Sequence, residues 1–208
     1  WATWGIRRIK LDKALKEATG AGVTVALLDT GVDLDHPVLF ARLTAGYDFV
    51  ANDPLSDDEP NGRDDDEDGR IDEGSGHGTH IAGIIGMVAP SAQIMPVRVL
   101  NSDGGGTLFD IVQGLVYAVE HGADIVNMSF SAVDNSPLLE AAVRFAFNHD
   151  VVLVAAAAGE DGYLEFPAAY DGVIAVGATK NDDNVTGFSQ SYANEVDVFA
   201  PGEWIFSA

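Results

Sequence analysis

Two short segments carry the residues best suited to proton transfer. Asp29 lies in VALLDTGVDLDHP, residues 25–37, and His77 lies in GSGHGTHIAGIIG, residues 74–86. An imidazole accepts and returns a proton near neutral pH, and a neighbouring carboxylate fixes its tautomer and stabilises the imidazolium. The apolar run 81–85 predicts a helix that holds His77 rigidly from its first turn. The sequence therefore predicts a catalytic pair of Asp29 and His77.

The elements that must position this pair alternate between apolar strands and amphipathic helices. Several predicted strands lack polar alternation, as strands buried on both faces do; they cover 23–28, 94–100, 125–128, 151–155 and 173–176. Apolar residues at i, i+3, i+4 and i+7 predict helices around Val112 and Leu139. We therefore expect one α/β domain over residues 1–208, with a mostly parallel central sheet and helices on both faces. Asp29 follows the first strand, where such folds bind ligands.

The acidic stretch 57–74 directly precedes His77 and resembles a calcium-binding loop in its spacing. Its alternating carboxylates, followed by a glycine, match the early positions of a twelve-residue loop, and the predicted ligands are Asp64, Asp66, Asp68, the Arg70 carbonyl and Asp72. The twelfth position is Ser75 rather than the usual Glu, so either other oxygens, such as those of Asp57 or Asp58, complete the site or binding is weaker. Hard oxygen ligands favour Ca²⁺ over a transition metal. A solvated acidic face is the alternative.

The composition limits the partners of the chain. Eleven basic residues against 33 acidic residues give a net charge of −22, which disfavours nucleic acid and anionic membranes as partners. The longest apolar run, 151–158, is far shorter than the ~20 residues of a membrane-spanning helix. No cysteine is present, which excludes disulfides and a cysteine nucleophile. The acidic surface favours a secreted or extracellular protein in a setting with divalent cations, although such a surface also serves simply to keep a protein soluble.

The two motifs resemble the subtilisin-like serine protease family, and the resemblance covers essentially the whole chain. Further segments follow in the family's order: VAPSAQIMPVRVL, IVNMSFS, VVLVAAAAGEDG, FPAAYDGVIAVGAT and VDVFAPG. The resemblance implies that Asp29 is the aspartate and His77 the general base of an Asp-His-Ser triad, with His80 structural. It also implies an endopeptidase that acts on peptide or protein substrates through an acyl-enzyme.

The family's serine segment is absent before Ala208, and Ser207 has the wrong neighbours to replace it. We therefore expect the N-terminal part of a catalytic domain that is truncated at its C-terminus and inactive as it stands. The missing C-terminal segment or a propeptide would then be its partner, and apolar core faces would be exposed. The alternative is a non-catalytic, calcium-stabilised pseudoprotease or peptide-binding module.

Glu160 marks a second departure from the family. The family places an asparagine there, whose amide stabilises the oxyanion, whereas a carboxylate carries like charge and opposes the transition state. A one-residue shift within the alanine run 155–158 is the alternative.

Peptide binding is predicted for a glycine segment and the strand expected opposite to it. Gly104, Gly105 and Gly106 would expose backbone groups to an extended peptide, unless they only form a flexible turn. The family resemblance places Ser129, Phe130 and Ser131 on the opposite side of the peptide. It places Ala157, Ala158 and Gly159 on the wall of the specificity pocket.

Overall fold

The computed structural model describes residues 4–158, 163–189 and 194–208. Its strands all lie in one parallel sheet, in the order β2-β3-β1-β4-β5-β6-β7. They are β1 Thr24–Asp29, β2 Tyr47–Asp48, β3 Gln93–Arg98, β4 Ile125–Met128, β5 Val152–Ala156, β6 Val173–Thr179 and β7 Val198–Pro201. The predicted α/β class with a parallel central sheet is confirmed, and β1, which carries Asp29, lies between β3 and β4.

In the described ranges, five α-helices accompany the sheet: α1 Trp4–Arg8, α2 Leu11–Glu17, α3 His77–Val88, α4 Leu108–Glu120 and α5 Pro137–Phe147. The predicted amphipathic patterns correspond to α4 and α5. The side chain of Thr107 accepts a hydrogen bond from the Asp110 amide at the start of α4, and Ser136 accepts one from Leu139 at the start of α5. These side chains satisfy amide groups that have no partner within the helix.

Two hydrophobic cores cover the two faces of the sheet. Leu28 belongs to the larger core, whose residues include Leu115 of α4 and Leu139 of α5. Leu27 points the other way, into a smaller core with Ala82 of α3. Both leucines are essentially inaccessible to solvent, and full burial of such a side chain stabilises the fold by about 1.5–3 kcal/mol. The helices therefore lie on both faces, as predicted.

The small core covers only part of its face. Leu153 and Ala155 of β5 are buried in the large core, so the intervening side chains point to the opposite face. On that face, within the described residues, Val152, Ile174 and Val198 are each 40–47% exposed. The sheet is therefore packed on both faces near β1 and on one face at β5 to β7.

The structure also bears on membrane contact. Among the described residues, no helix combines the length and hydrophobicity that crossing a bilayer requires.

Candidate active site

Asp29 and His77 meet at the carboxyl edge of the sheet. Asp29 is the last residue of β1, and His77 is the first residue of α3. The Nδ1 atom of His77 lies 2.7 Å from Oδ1 of Asp29, and the same oxygen accepts a hydrogen bond from the Thr30 amide at 2.8 Å. A carboxylate acts only as an acceptor, so Nδ1 carries the proton and Nε2 is left with a free lone pair. The pair thus has the tautomer that a general base requires.

The two members of the pair have different environments. Asp29 is completely buried, and its Oδ2 atom has no hydrogen-bond partner among the described residues. The side chain of His77 is 44% exposed. The hydrogen bond to Asp29 raises the pKa of His77 above its usual 6.5, partial burial opposes this shift, and the charges of Asp29 and Asp58 add to the rise.

The close approach of α3 to β1 requires a glycine beside His77. A Cβ atom on Gly78 would lie 2.0 Å from the carbonyl oxygen of Gly31 and 3.2 Å from Asp29. Any larger residue would push the helix away and separate His77 from Asp29.

A small cleft opens beside the exposed edge of His77. Its volume is about 280 Å³, and its lining residues are Thr30, Glu73, Gly74, His77, Leu100, Gly104, Ser129, Phe130 and Ser131. Four residues predicted from the sequence to contact a peptide, Gly104 and the segment 129–131, therefore lie in one cavity with the imidazole. Sequence reasoning missed Glu73, which stands four residues before His77 in the acidic stretch.

The glycine segment differs from the prediction at its centre. Gly105 donates its amide hydrogen to the Asn101 side chain at 2.9 Å, and its carbonyl accepts from the Asn101 amide at 2.7 Å. Its backbone is therefore already used within a turn. Gly106 makes no backbone hydrogen bond within the described residues, and a Cβ there would lie 2.6 Å from the Val99 carbonyl. Phe130 and Ser131, which line the cleft, likewise lack backbone partners in the described part of the chain.

The alanine segment after β5 does not line this cleft. Ala157 is buried, its amide donating to Val176, and the Ala158 carbonyl accepts a hydrogen bond from Glu165. Gly159 and Glu160, the remaining predicted residues of this wall, lie outside the described residues.

No described hydroxyl contacts the free Nε2 atom of His77. The Oγ atom of Ser207 is buried against Gly83 in the middle of α3, and Ser189 accepts a hydrogen bond from the Ala178 amide. His80 faces the Ile205 carbonyl at 3.2 Å, as expected of a structural residue. Within the part of the chain that the structure describes, the pair therefore has no nucleophile.

The acidic loop brings three of its predicted ligands together. Carboxylate oxygens of Asp64, Asp66 and Asp68 all lie within 4.8 Å of one another. The Arg70 amide donates to Asp68, so this residue adjoins the cluster. Asp72 is not part of this group; its carboxylate accepts hydrogen bonds from the amides of residues 61 and 62, and its role as a ligand stays a prediction. The carboxylates of Asp57 and Asp58 are also held elsewhere, by amides and hydroxyls around β1 and α3.

The comparison with protein families identifies the family of this chain. Residues 20–207 match the model of the Subtilase family. The chain belongs to the subtilase family. Thermitase of Thermoactinomyces vulgaris is 36% identical to this subtilase over 215 residues, a match that covers 98% of the chain and 71% of thermitase. A thermophilic serine proteinase of Bacillus sp. (strain AK1) is 39% identical over 198 residues, which cover 90% of the chain but 45% of that protein.

Solved structures agree with the subtilase assignment. The crystal structure of a cold adapted subtilisin-like serine proteinase superposes with a TM-score of 0.77 at 32% sequence identity. The match covers 92% of this chain and 67% of the chain in that crystal structure. The crystal structure of a lanthipeptide protease also superposes with a TM-score of 0.77, at 26% sequence identity. This match covers 96% of this subtilase and 61% of the chain in that structure. These relatives extend well beyond the portion that this chain matches.

Proposed function

We propose that this chain contributes the acid-base half of a serine endopeptidase of the subtilisin type. His77 would take the proton of a serine hydroxyl through Nε2 while the serine oxygen attacks the peptide carbonyl carbon. The imidazolium would return that proton to the leaving amine, and water would release the acyl group in a second round. Asp29 would hold the Nδ1 proton and stabilise the imidazolium. The observation that carries the proposal is the 2.7 Å contact between Nδ1 and Oδ1 in a cleft large enough for peptide atoms.

The substrate would be an extended peptide lying between Gly106 and the segment 129–131. The unpartnered backbone groups of Gly106, two residues from Gly104 of the cleft, and of Phe130 and Ser131 support this, since an added strand needs free donors and acceptors on each side. The side chains of Phe130 and Ser131 would narrow the cleft. Glu160, at the family's oxyanion position, would weaken catalysis by repelling the developing negative charge.

Because no described hydroxyl meets Nε2, the 208 residues alone are proposed to be inactive. The decisive experiment treats the full-length protein and a 1–208 chain with a fluorophosphonate probe that labels activated serines. Labelling of the full-length protein, its loss in His77→Gln and no labelling of the 1–208 chain are expected. Absence of labelling and of peptide hydrolysis in the full-length protein would refute the endopeptidase proposal.

Glu160, a carboxylate at the family's oxyanion position, supports a second candidate, a peptide-binding pseudoprotease. This protein would bind an extended peptide in the cleft beside His77 without cleaving it. Fluorescence polarisation with labelled peptides distinguishes the two candidates, because the second predicts saturable binding that persists for hours with no cleavage and no serine labelling.

We further propose that the loop carrying Asp64, Asp66 and Asp68 binds Ca²⁺. Three hard oxygen ligands within 4.8 Å of one another fit a divalent cation that prefers carboxylates. A bound ion would order the loop that leads to α3 and reduce the repulsion within the net charge of −22. A location outside the cell, where calcium is abundant, would suit this requirement and stays a prediction.

A further inference from the structure

The first turn of α3, which carries His77, has no capping side chain at its N-cap position. Its N-cap residue is Gly76, which adopts φ 86° and has no side chain to accept hydrogen bonds. The first amides of a helix have no partner within the helix and need acceptors from elsewhere. Here Gly76 and Thr79 donate their amide hydrogens to the two oxygens of Asp58, at 3.0 and 3.1 Å. The cap is therefore supplied by a residue 18 positions before the N-cap residue Gly76.

Asp58 also accepts two hydroxyl hydrogens, so its carboxylate has four donors. Thr30 donates to Oδ1 at 3.0 Å, and the Thr79 hydroxyl donates to Oδ2 at 2.7 Å. Each hydroxyl accepts a second hydrogen bond in return, since Thr30 Oγ1 receives the Gly78 amide and Thr79 Oγ1 receives the Asp33 amide. Thr30 and Thr79 are 1% and 8% exposed, so water does not compete for these bonds.

This network joins the two parts of the backbone that hold the candidate catalytic pair. Thr30 directly follows Asp29, while Gly76 and Gly78 flank His77. The segment containing Asp58 is itself fixed to the same turn, because the Val32 amide donates to the Ser56 carbonyl at 3.0 Å. Loss of the carboxylate would leave two helix amides and two hydroxyls without their acceptor and free α3 to move relative to β1.

We infer that Asp58 is a positioning residue that holds the His77 imidazole against Asp29. It does not line the cleft, so it acts on His77 and not on the substrate. Its kinetic consequence rests on the proposed endopeptidase function, whereas its effect on His77 does not. The charge of Asp58 supports the same role, because it is one of the causes that raise the pKa of His77. Asp29 is the other carboxylate that raises this pKa, and Glu73 lines the same cleft as the ring.

The test compares Asp58→Asn with Asp57→Asn in the full-length protein. Asp57 is the matched control, because its carboxylate accepts from Leu34 and from the Asp58 amide but does not touch α3. The pH titration of the His77 ring is followed by ¹H-¹⁵N NMR, together with the exchange rate of the Nδ1 proton. Asp58→Asn should lower the pKa of His77 and accelerate the exchange of that proton, and the control should change neither. With a cleaved peptide, kcat should fall about 10- to 100-fold at unchanged KM.

A second pair of variants tests the same role if Asp58→Asn does not fold. Thr79→Val removes one donor to Asp58 and should shift the His77 titration in the same direction, while Thr79→Ser should restore it. The inference is overturned if folded Asp58→Asn and Asp57→Asn give the same His77 titration, whatever their rates. If no form of the protein hydrolyses peptides, the endopeptidase proposal fails, but the NMR comparison still decides the role of Asp58.

Discussion

His77 and Asp29 are joined across the boundary between solvent and core, by a 2.7 Å contact from Nδ1 to Oδ1. Asp29 has no solvent exposure, whereas the His77 side chain is 44% exposed. The buried carboxylate therefore fixes the orientation and the proton of the ring, while Nε2 stays accessible from the cleft. This arrangement gives the pH response of the protein a definite direction.

The activity of the full-length protein should rise with pH along a limb centred above 6.5. The hydrogen bond to Asp29 is the main cause that raises the pKa of His77, and only the neutral ring acts as a base. The measurement is the pH dependence of kcat/KM. A limb centred below 6.5 would contradict the environment described for His77.

The contribution of His77 to the stability of the fold should decrease as the pH rises, whereas the activity should increase. Because the folded state raises the pKa of His77, its stabilising contribution is complete below pH 6.5 and disappears as the pH rises through the folded-state value. The difference in Tm between the parent and His77→Gln should therefore shrink between pH 6 and pH 9. A difference that stays constant over this range would mean that the ring gains nothing from Asp29.

Asp29→Asn should lower kcat by about 10⁴-fold, because an amide in that position favours the wrong tautomer of the imidazole. It should also lower the pKa of His77, since the hydrogen bond to the carboxylate is the largest cause of the rise. Steady-state kinetics and an NMR titration of the ring measure the two effects. Asp33→Asn is a suitable control, because among the described residues the Asp33 carboxylate accepts a hydrogen bond from the amide of Asp35 and from no other group.

Calcium should raise the Tm of the parent protein by mass action, with a stabilisation of about 2.7 kcal/mol at 100 times Kd. Asp64→Asn and Asp66→Asn should reduce this shift, because each removes a carboxylate from the cluster. Asp134→Asn, on an exposed turn, should leave it unchanged. Differential scanning fluorimetry with added Ca²⁺ or chelator is sufficient, and equal shifts in all variants would refute the site.

Leu27→Ala and Leu28→Ala should each reduce the free energy of unfolding by about 2–5 kcal/mol, because each leaves a cavity in a different core. Their effects should add, since the sheet separates the two side chains. Urea unfolding of the single and double variants measures this, with Val38→Ala, 63% exposed, as the control. Strong non-additivity would mean that the two faces do not pack independently.

Peptides with a basic side chain beside the cleft should be preferred over acidic ones. Glu73 lines the cleft, is exposed and has no ionic partner among the described residues. Glu73→Gln should reduce the preference for Lys over Glu about three- to tenfold, with a smaller effect at high salt. Glu120→Gln, at the end of α4, is the control for net charge. The ratio of kcat/KM for paired peptides gives the result.

The central part of the fold was predictable because its apolar runs are long. The strand 125–128 was predicted to the residue, and β1 was predicted to within one residue at each end. The edge strands β2 and β7 were missed, since Tyr47–Asp48 and Val198–Pro201 are too short to show a period and their pairing is set by neighbours distant in sequence. Buried strands can be recognised in the sequence by their apolar composition, whereas the formation of edge strands depends on tertiary contacts.

The candidate site shows the same contrast. Asp29 and His77 stand in distinctive local motifs, so their sequence neighbours were enough to find them. Asp58 stands in an acidic run whose residues look alike, and only the folded chain shows that its four donors lie 18 to 28 positions away. Asp72 was assigned to the calcium loop by spacing alone, and only the folded chain shows that its carboxylate accepts hydrogen bonds from the amides of residues 61 and 62.

The central position of β1 has a consequence for biosynthesis. The partners of Val25 are Ile94 and Ile125, so both strands that pair with β1 are synthesised well after it. On the ribosome, the apolar run 25–28 therefore remains unpaired until β3 has emerged, and it lacks its second neighbour, β4, until about a hundred residues have followed it. Long-range parallel pairing of this kind is slow and leaves chains prone to aggregation in the meantime. The strand that ends in Asp29 would therefore benefit from a chaperone or another covering segment while the chain is being synthesised.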